Sequence, residues 1–232
     1  MATGGAAVAQ TGAARGRSIA IGLLSFAAGA MDALAFLTLG EVFTSAMSGN
    51  TILMGLALGQ GRIFAALHSL TALVGYACGV ALAVLPLRRR PHGIGYALGF
   101  EVLFLAAFAG FWTAWGGPSD PVPRYALIAL SAIAMGLQGA VGRAIQIPGV
   151  PTIVITSTLT AIIGRVAEKL FDRGQRVPAG PTQQQMLSFL AYLASAIVCG
   201  LATSRWLGAL PFAPLVAVLA LVAGLRLRML AL

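Results

Sequence analysis

Phe43 to Gly59 reads FTSAMSGNTILMGLALG, and Pro151 to Val166 reads PTIVITSTLTAIIGRV. Each is an apolar stretch broken by small polar residues, Ser48-Gly49-Asn50-Thr51 in the first and Thr156-Ser157-Thr158 in the second. Each follows an apolar run that carries one larger polar side chain, Asp32 before the first break and Gln138 before the second. Paired interruptions of this kind, at matching places in two halves of an apolar chain, point to a substrate pathway in a membrane protein built from repeats.

Composition places the chain in that class independently. It is 59% hydrophobic and only 9% charged, and its mean hydropathy is +0.91, values that a water-soluble domain of this size does not sustain. A net charge of +9 would ordinarily raise nucleic acid as a partner, but the Lys and Arg residues lie almost wholly between apolar spans. They read as topology signals and as contacts for anionic lipid headgroups. Cys78 and Cys199 each fall inside an apolar span, where a thiol packs as a small weakly polar group and a disulfide is not expected. Neither His68 nor His92 has metal-ligand spacing around it, and no cofactor or metal is implied.

Eight apolar segments can be drawn, from Ser18 to Leu39, Val42 to Gly59, Ile63 to Leu87, Gly93 to Trp115, Pro123 to Arg143, Val150 to Ile163, Met186 to Trp206 and Gly208 to Leu227. If all eight crossed, the dense basic cluster Arg88-Arg89-Arg90 would face outward, against the rule that cytosolic loops carry the excess of Lys and Arg. If the second and sixth segments dip in and return, only Arg62, Arg124 and Arg205 lie outside. The expected fold is therefore all-α and integral to the membrane, with about six transmembrane helices and two re-entrant or broken segments. Residues 1–17, rich in Ala and Gly, are expected as a disordered cytosolic tail, and 18–232 as one transmembrane domain with both termini in the cytosol.

Six spans give the internal repeat a physical meaning. Ser48-Gly49-Asn50-Thr51 aligns with Thr156-Ser157-Thr158-Leu159 at an offset of 108, and Cys78-Gly79 aligns with Cys199-Gly200 at an offset of 121. The difference is absorbed by the polar connection from Lys169 to Gln185, where an insertion costs least. Repeat one (18–117) and repeat two (121–229) then hold three spans each, an odd number, so they run oppositely through the bilayer. The glycine pairs Gly75-xxx-Gly79 and Gly95-xxx-Gly99 are small-residue faces that let helices approach closely, within the chain or in a homo-oligomer.

The run from Gly29 through Gly40, GAMDALAFLTLG, with Val42-Phe43 and Met47-Ser48-Gly49-Asn50-Thr51, resembles the YoaK family of uncharacterised bacterial membrane proteins. So does Met135-Gly136-Leu137-Gln138, with Arg143, Val150-Pro151-Thr152 and Thr156-Ser157-Thr158-Leu159-Thr160. Ser48 stands where the family usually has Thr, and Ser157 where it usually has Gly. The resemblance implies an inner-membrane protein of about six spans, with transport suspected and no substrate assigned.

Asp32 lies near mid-depth of the first span, where a carboxylate costs at least about 2.5–3.5 kcal/mol on insertion scales. It reads as a proton or cation site, or as a partner for Arg143 or for the free backbone groups of the broken segment. The polar groups at the two breaks, Ser48, Asn50 and Thr51 with Thr156, Ser157 and Thr158, suit a lined pathway, and each alone suits a helix cap. Gly49 belongs to the same cluster. Gln138 and Arg143 flank the inner half of the fifth segment, and Glu101 is a second intramembrane acid, either protonatable or directed toward Arg88, Arg89 or Arg90. The expected function is a transporter or facilitator of a small polar or ionic solute, with Asp32 as its link to protons. A passive channel on the same plan and an accessory subunit are the alternatives. An intramembrane serine protease is set aside: Ser48 has no evident base with a supporting carboxylate.

Overall fold

The computed structural model describes residues 3–89, 92–118, 121–145 and 183–227, together with residues 159, 160, 163, 164 and 167. These form seven helices: α1 (Thr3–Thr38), α2 (Met47–Gly59), α3 (Ile63–Arg89), α4 (Gly93–Trp115), α5 (Pro121–Ala144), α6 (Gln183–Trp206) and α7 (Phe212–Arg226). Five contain stretches long and apolar enough to cross a membrane, namely Arg15–Thr38, Ile63–Arg88, Gly93–Trp115, Pro121–Ala144 and Gln184–Trp206. The last helix is shorter than expected. A turn occupies residues 207–211, leaving 15 residues in α7, about 22 Å of helix at 1.5 Å per residue against a hydrocarbon core of about 30 Å. At the other end of the chain, α1 opens at Thr3, inside the stretch expected as a disordered tail. Its alanines favour helix while its glycines oppose it.

The helix directions follow from which residues meet. Ser25 bonds Ser188, Tyr192 reaches Asp32, and Cys199 faces the Ala30 carbonyl, so α6 runs parallel to α1. His68 packs on Tyr125, Gly75 on Ala129 and Ala132, and Gly79 on Ile133 and Gly136, so α3 and α5 are likewise parallel. Gly40 and Glu41, just past α1, line one cavity with Ile63 and Arg124 from the starts of α3 and α5. The α3–α5 pair therefore runs opposite to the α1–α6 pair. At the far end Leu87, Gly93, Ala144 and Arg226 line a second cavity of about 690 Å³, which brings together the ends of α3, α5 and α7 with the start of α4.

Helices α1 and α5 form the centre: 67% of the apolar window of each is buried, against 33% for α4, 22% for α3 and 17% for α6. Ile21, Leu24, Met31 and Leu34 of α1 pack with Leu127, Ile128, Met135 and Leu137 of α5 and with Leu98, Leu105 and Phe108 of α4 in one cluster. The perimeter is apolar as well. Leu103, Leu201, Phe64 and Val216 are each at least 60% exposed, the surface of a protein solvated by lipid chains.

Close backbone approach between α3 and α5 depends on glycine. A Cβ at Gly79 would collide with the Ile133 carbonyl, and one at Gly136 with the Tyr76 carbonyl. The Gly75-xxx-Gly79 face is thus spent inside the chain, while Gly95 and Gly99 meet nothing within 4 Å. Gly93 is needed for another reason. Pro86 lies in the last turn of α3, and the start of α4 rests so tightly against the Pro86–Leu87 backbone that no side chain fits between them.

Candidate functional site

The chain leaves α1 at Thr38 and reverses through Gly40 and Glu41, which have φ of 95° and 60°. Residues 42–46 then run back beside the last turns of α1 before α2 begins at Met47. Since Gly40 and Glu41 share a cavity with Gly61 and Arg62, segment 42–59 leaves and returns at one end of the bundle. Its helix, with 13 residues, spans about 20 Å and is too short to cross.

Asp32 holds the returning strand of chain. Its Oδ1 accepts hydrogen bonds from the Thr44 backbone N–H at 2.6 Å, the Ser45 N–H at 2.7 Å and the Thr44 hydroxyl at 3.0 Å. Its Oδ2 accepts from the Ser45 hydroxyl at 2.6 Å and from the Tyr192 hydroxyl of α6 at 2.7 Å. The two N–H groups belong to residues just ahead of α2, whose N-cap, Ala46, has no side-chain acceptor to offer. A buried acid on α1 thus satisfies the N–H groups of the two residues that lead into α2, close to a helix N-terminus, where negative charge is favoured.

Asn50 closes the loop from the other side. Its amide nitrogen donates to the Phe43 carbonyl at 2.6 Å and its amide oxygen accepts from the Phe43 N–H at 2.9 Å. The Phe43 ring stacks on Phe36 with centroids 5.1 Å apart, and Gly49 makes room for it: a Cβ there would stand 2.9 Å from the ring. The polar cluster expected at this break therefore divides. Asp32 and Asn50 are buried and committed to the loop, whereas Ser48 and Thr51 are exposed, with Thr51 bonded to the Met47 carbonyl of its own helix.

Gln138 is 1% exposed. Its amide nitrogen donates to the Leu24 carbonyl of α1 at 2.9 Å, and its amide oxygen is buried without a hydrogen-bond partner. Arg143, in the last turn of α5, is exposed and is not among the partners of Asp32. Of the partners weighed for Asp32, it is backbone N–H groups and hydroxyls of the loop, and not Arg143, that bond to it. Thr156, Ser157 and Thr158 lie outside the described residues. Glu101 sits in the buried stripe of α4 between Leu98 and Leu105, fully inaccessible, with neither carboxyl oxygen hydrogen-bonded. Arg88, one of the partners weighed for it, makes no hydrogen bond to it; the side chains of Arg89 and Arg90 lie outside the described residues.

Tyr192, unforeseen in the sequence, is the one contribution of α6 to the Asp32 carboxylate. Its signal was an aromatic hydroxyl in mid-span, since a buried Tyr O–H ordinarily finds an acceptor. With Ser25–Ser188 and the Cys199–Ala30 contact, it continues a polar seam along the α1–α6 interface.

Fold and site together define a multi-pass α-helical membrane protein with an occluded acid at an interrupted helix. The family described as "Protein of unknown function (DUF1275)" matches residues 20–225, and the chain belongs to it. It is 31% identical over 225 residues to the "UPF0700 transmembrane protein YoaK" of Bacillus subtilis (strain 168), a match covering 94% of this chain and 97% of that protein. The resemblance seen in the Asp32 and Asn50 segments is thereby established along nearly the whole chain. No solved structure matches.

Proposed function

We propose that this protein is a transporter of a small polar or ionic solute across the bacterial inner membrane, built from two inverted repeats of three spans each. The observation that carries the reading is the closed polar junction at Asp32, to which both halves contribute. Asp32 is 2% exposed, Thr44 0%, Ser45 4% and Asn50 0%. Polar and irregular backbone is tolerated at membrane depth only where protein or a water-filled cavity surrounds it. A junction sealed on all sides favours alternating access over a standing pore, and so a carrier over a passive channel.

The repeat reading is supported by how helices are exchanged between halves. Helix α1 packs on α6 and α7, while α5 packs on α3 and α4, so each half's first helix is clasped by the other half's later ones. The crossing points also correspond. Ala30 meets Cys199 on α6, and Gly136, its equivalent at the Asp32–Gln138 offset of 106, meets Gly79, next to the Cys199 equivalent Cys78. The two parallel pairs point in opposite directions, as inverted repeats require. Within this arrangement Asp32 is the proton-linking group, the termini lie in the cytosol, and the Arg88–Arg90 loop meets anionic headgroups.

Reconstitution into proteoliposomes tests the reading. Saturable uptake driven by an imposed gradient, slowed by Asp32→Asn and by Tyr192→Phe, is the expected result. Flux that rises linearly with solute and ignores both substitutions would support a channel instead, and absence of flux for every solute would leave the accessory-subunit alternative.

A further inference from the structure

We propose that the cavity at the end of the bundle where α1 stops binds a small monoanionic oxyanion, a carboxylate or a phosphodiester. The cavity is about 640 Å³, within the range of small-molecule sites. Two tight turns frame it, one at Gly40 and Glu41 and the other at Gly61 and Arg62. Arg62, Arg124 and His68 line it, and Glu41 is the single acid on its wall. Two guanidiniums against one carboxylate leave one unit of positive charge for a ligand to neutralise.

The donors around this cavity are not used up. Arg124 donates from Nη2 to the Pro118 carbonyl at 3.1 Å, but its Nε is buried without a hydrogen-bond partner. Behind the wall, the hydroxyl of Tyr125, which does not itself line the cavity, is likewise buried and unpartnered, and its ring packs at 4.9 Å against that of His68. Buried polar atoms are normally satisfied, and an unpartnered guanidinium N–H beside a cationic cavity favours an acceptor there. An oxyanion suits a guanidinium in particular, because the planar fork can offer it two parallel N–H groups.

The shape of the site is held at some cost. Glu41 adopts the left-handed region at φ 60°, where a residue other than Gly is strained by about 1 kcal/mol or more. That strain keeps a carboxylate on the cavity wall at a position where glycine would be the default. Gly40 is held open in turn by His68, whose ring occupies the space that a Cβ would need. The cavity wall and the segment held by Asp32 are one continuous piece of chain, from Gly40 to Ser45.

The inference concerns binding and does not require that the protein transport anything. Purified protein in neutral detergent is titrated with acetate at constant ionic strength, with thermal unfolding as the readout. A saturable rise in Tm is expected, with the apparent Kd weakened at least tenfold by Arg62→Gln and by Arg124→Gln and unchanged by the exposed control Arg205→Gln. Arg62→Gln keeps the test decisive should loss of the Arg124–Pro118 bond impair folding. In a second arm, native mass spectrometry from phosphatidylglycerol nanodiscs reads retained lipid. Retention lost in Arg62→Gln, without acetate binding, assigns the oxyanion to a headgroup. Binding in neither arm, or binding indifferent to both arginines, overturns the proposal.

Discussion

Replacing Asp32 by Ala strips the α1–α2 turn of its acceptor, and the loss can be worked out from the five bonds it makes. Thr44 and Ser45 are 0% and 4% exposed, so their N–H groups, which donate to Oδ1, would be stranded away from water. Each stranded donor costs about 1–3 kcal/mol, giving about 2–6 kcal/mol for the pair. The three hydroxyls can rotate toward other acceptors and add less. For a domain of this size about 2–4 °C of Tm accompanies each kcal/mol, so a fall of roughly 4–24 °C is expected. Asp32→Asn should be far milder. Its carbonyl can keep the three donors on the Oδ1 side, and its NH2 would face Ser45 and Tyr192 hydroxyls that can turn to accept. Tyr192→Phe leaves Oδ2 still bonded to the Ser45 hydroxyl and should cost about 1–2 kcal/mol. Thermal unfolding in detergent, followed by intrinsic fluorescence or far-UV CD, measures all three. An Ala variant within a degree of wild type, or an Asn variant less stable than the Ala variant, would refute the anchoring role.

Three further outcomes follow from the packing. Glu101→Leu should stabilise the protein by about 1–3 kcal/mol, because it exchanges an unsatisfied buried carboxyl for an apolar group of similar size; a lowered Tm would mean that the carboxyl has a partner in the working protein. Gly136→Leu should destabilise strongly or abolish folding, since its Cβ would meet the Tyr76 carbonyl, whereas Gly95→Leu, facing open space, should stay within about 0.5 kcal/mol of wild type; equal effects would contradict the α3–α5 crossing. In a background without Cys78 and Cys199, cysteines placed at Glu41 and at Arg62 should react with an impermeant thiol reagent from the same side of the membrane, and labelling from opposite sides would mean that segment 42–59 crosses.

Much of the architecture could be read from sequence because hydropathy measures the quantity that selects membrane helices. The Gly93–Trp115 segment coincides with α4, and the ends of α3 and α6 shift by only a few residues. Where hydropathy misjudged, geometry had intervened. The run from Gly208 to Leu227 is apolar throughout, yet Pro211 and a turn consume its first residues, and the remaining helix is too short for a full span without help from its neighbours. Trp112, near the end of α4, is 3% exposed and packs on Phe108.

The candidate site was only partly legible, for a different reason. Asp32 was conspicuous because an acid in an apolar span is expensive, but its partners depend on which helices lie together and in which direction. The proposed repeat relates α1 to α5, yet the helix that reaches Asp32 is α6, parallel to α1 and delivering Tyr192. No periodicity within either segment encodes that register. The pairing of Asp32 with Gln138 in the repeat also conceals a difference in chemistry. Asp32 is saturated by five donors and tied to its own loop, while Gln138 bridges straight to α1 through the Leu24 carbonyl and keeps one amide oxygen buried and unsatisfied. If the two halves are repeats as proposed, equivalent places hold one closed acceptor and one open one. In a carrier that alternates between two states, the open acceptor is the one still able to gain a bond when the halves move, and Gln138→Glu, which keeps the shape but removes the donor to Leu24, separates that role from simple bracing. Bracing alone predicts loss of stability with any residual flux unaltered in its solute dependence. A role in the transport cycle predicts a changed apparent affinity for solute in protein that remains folded.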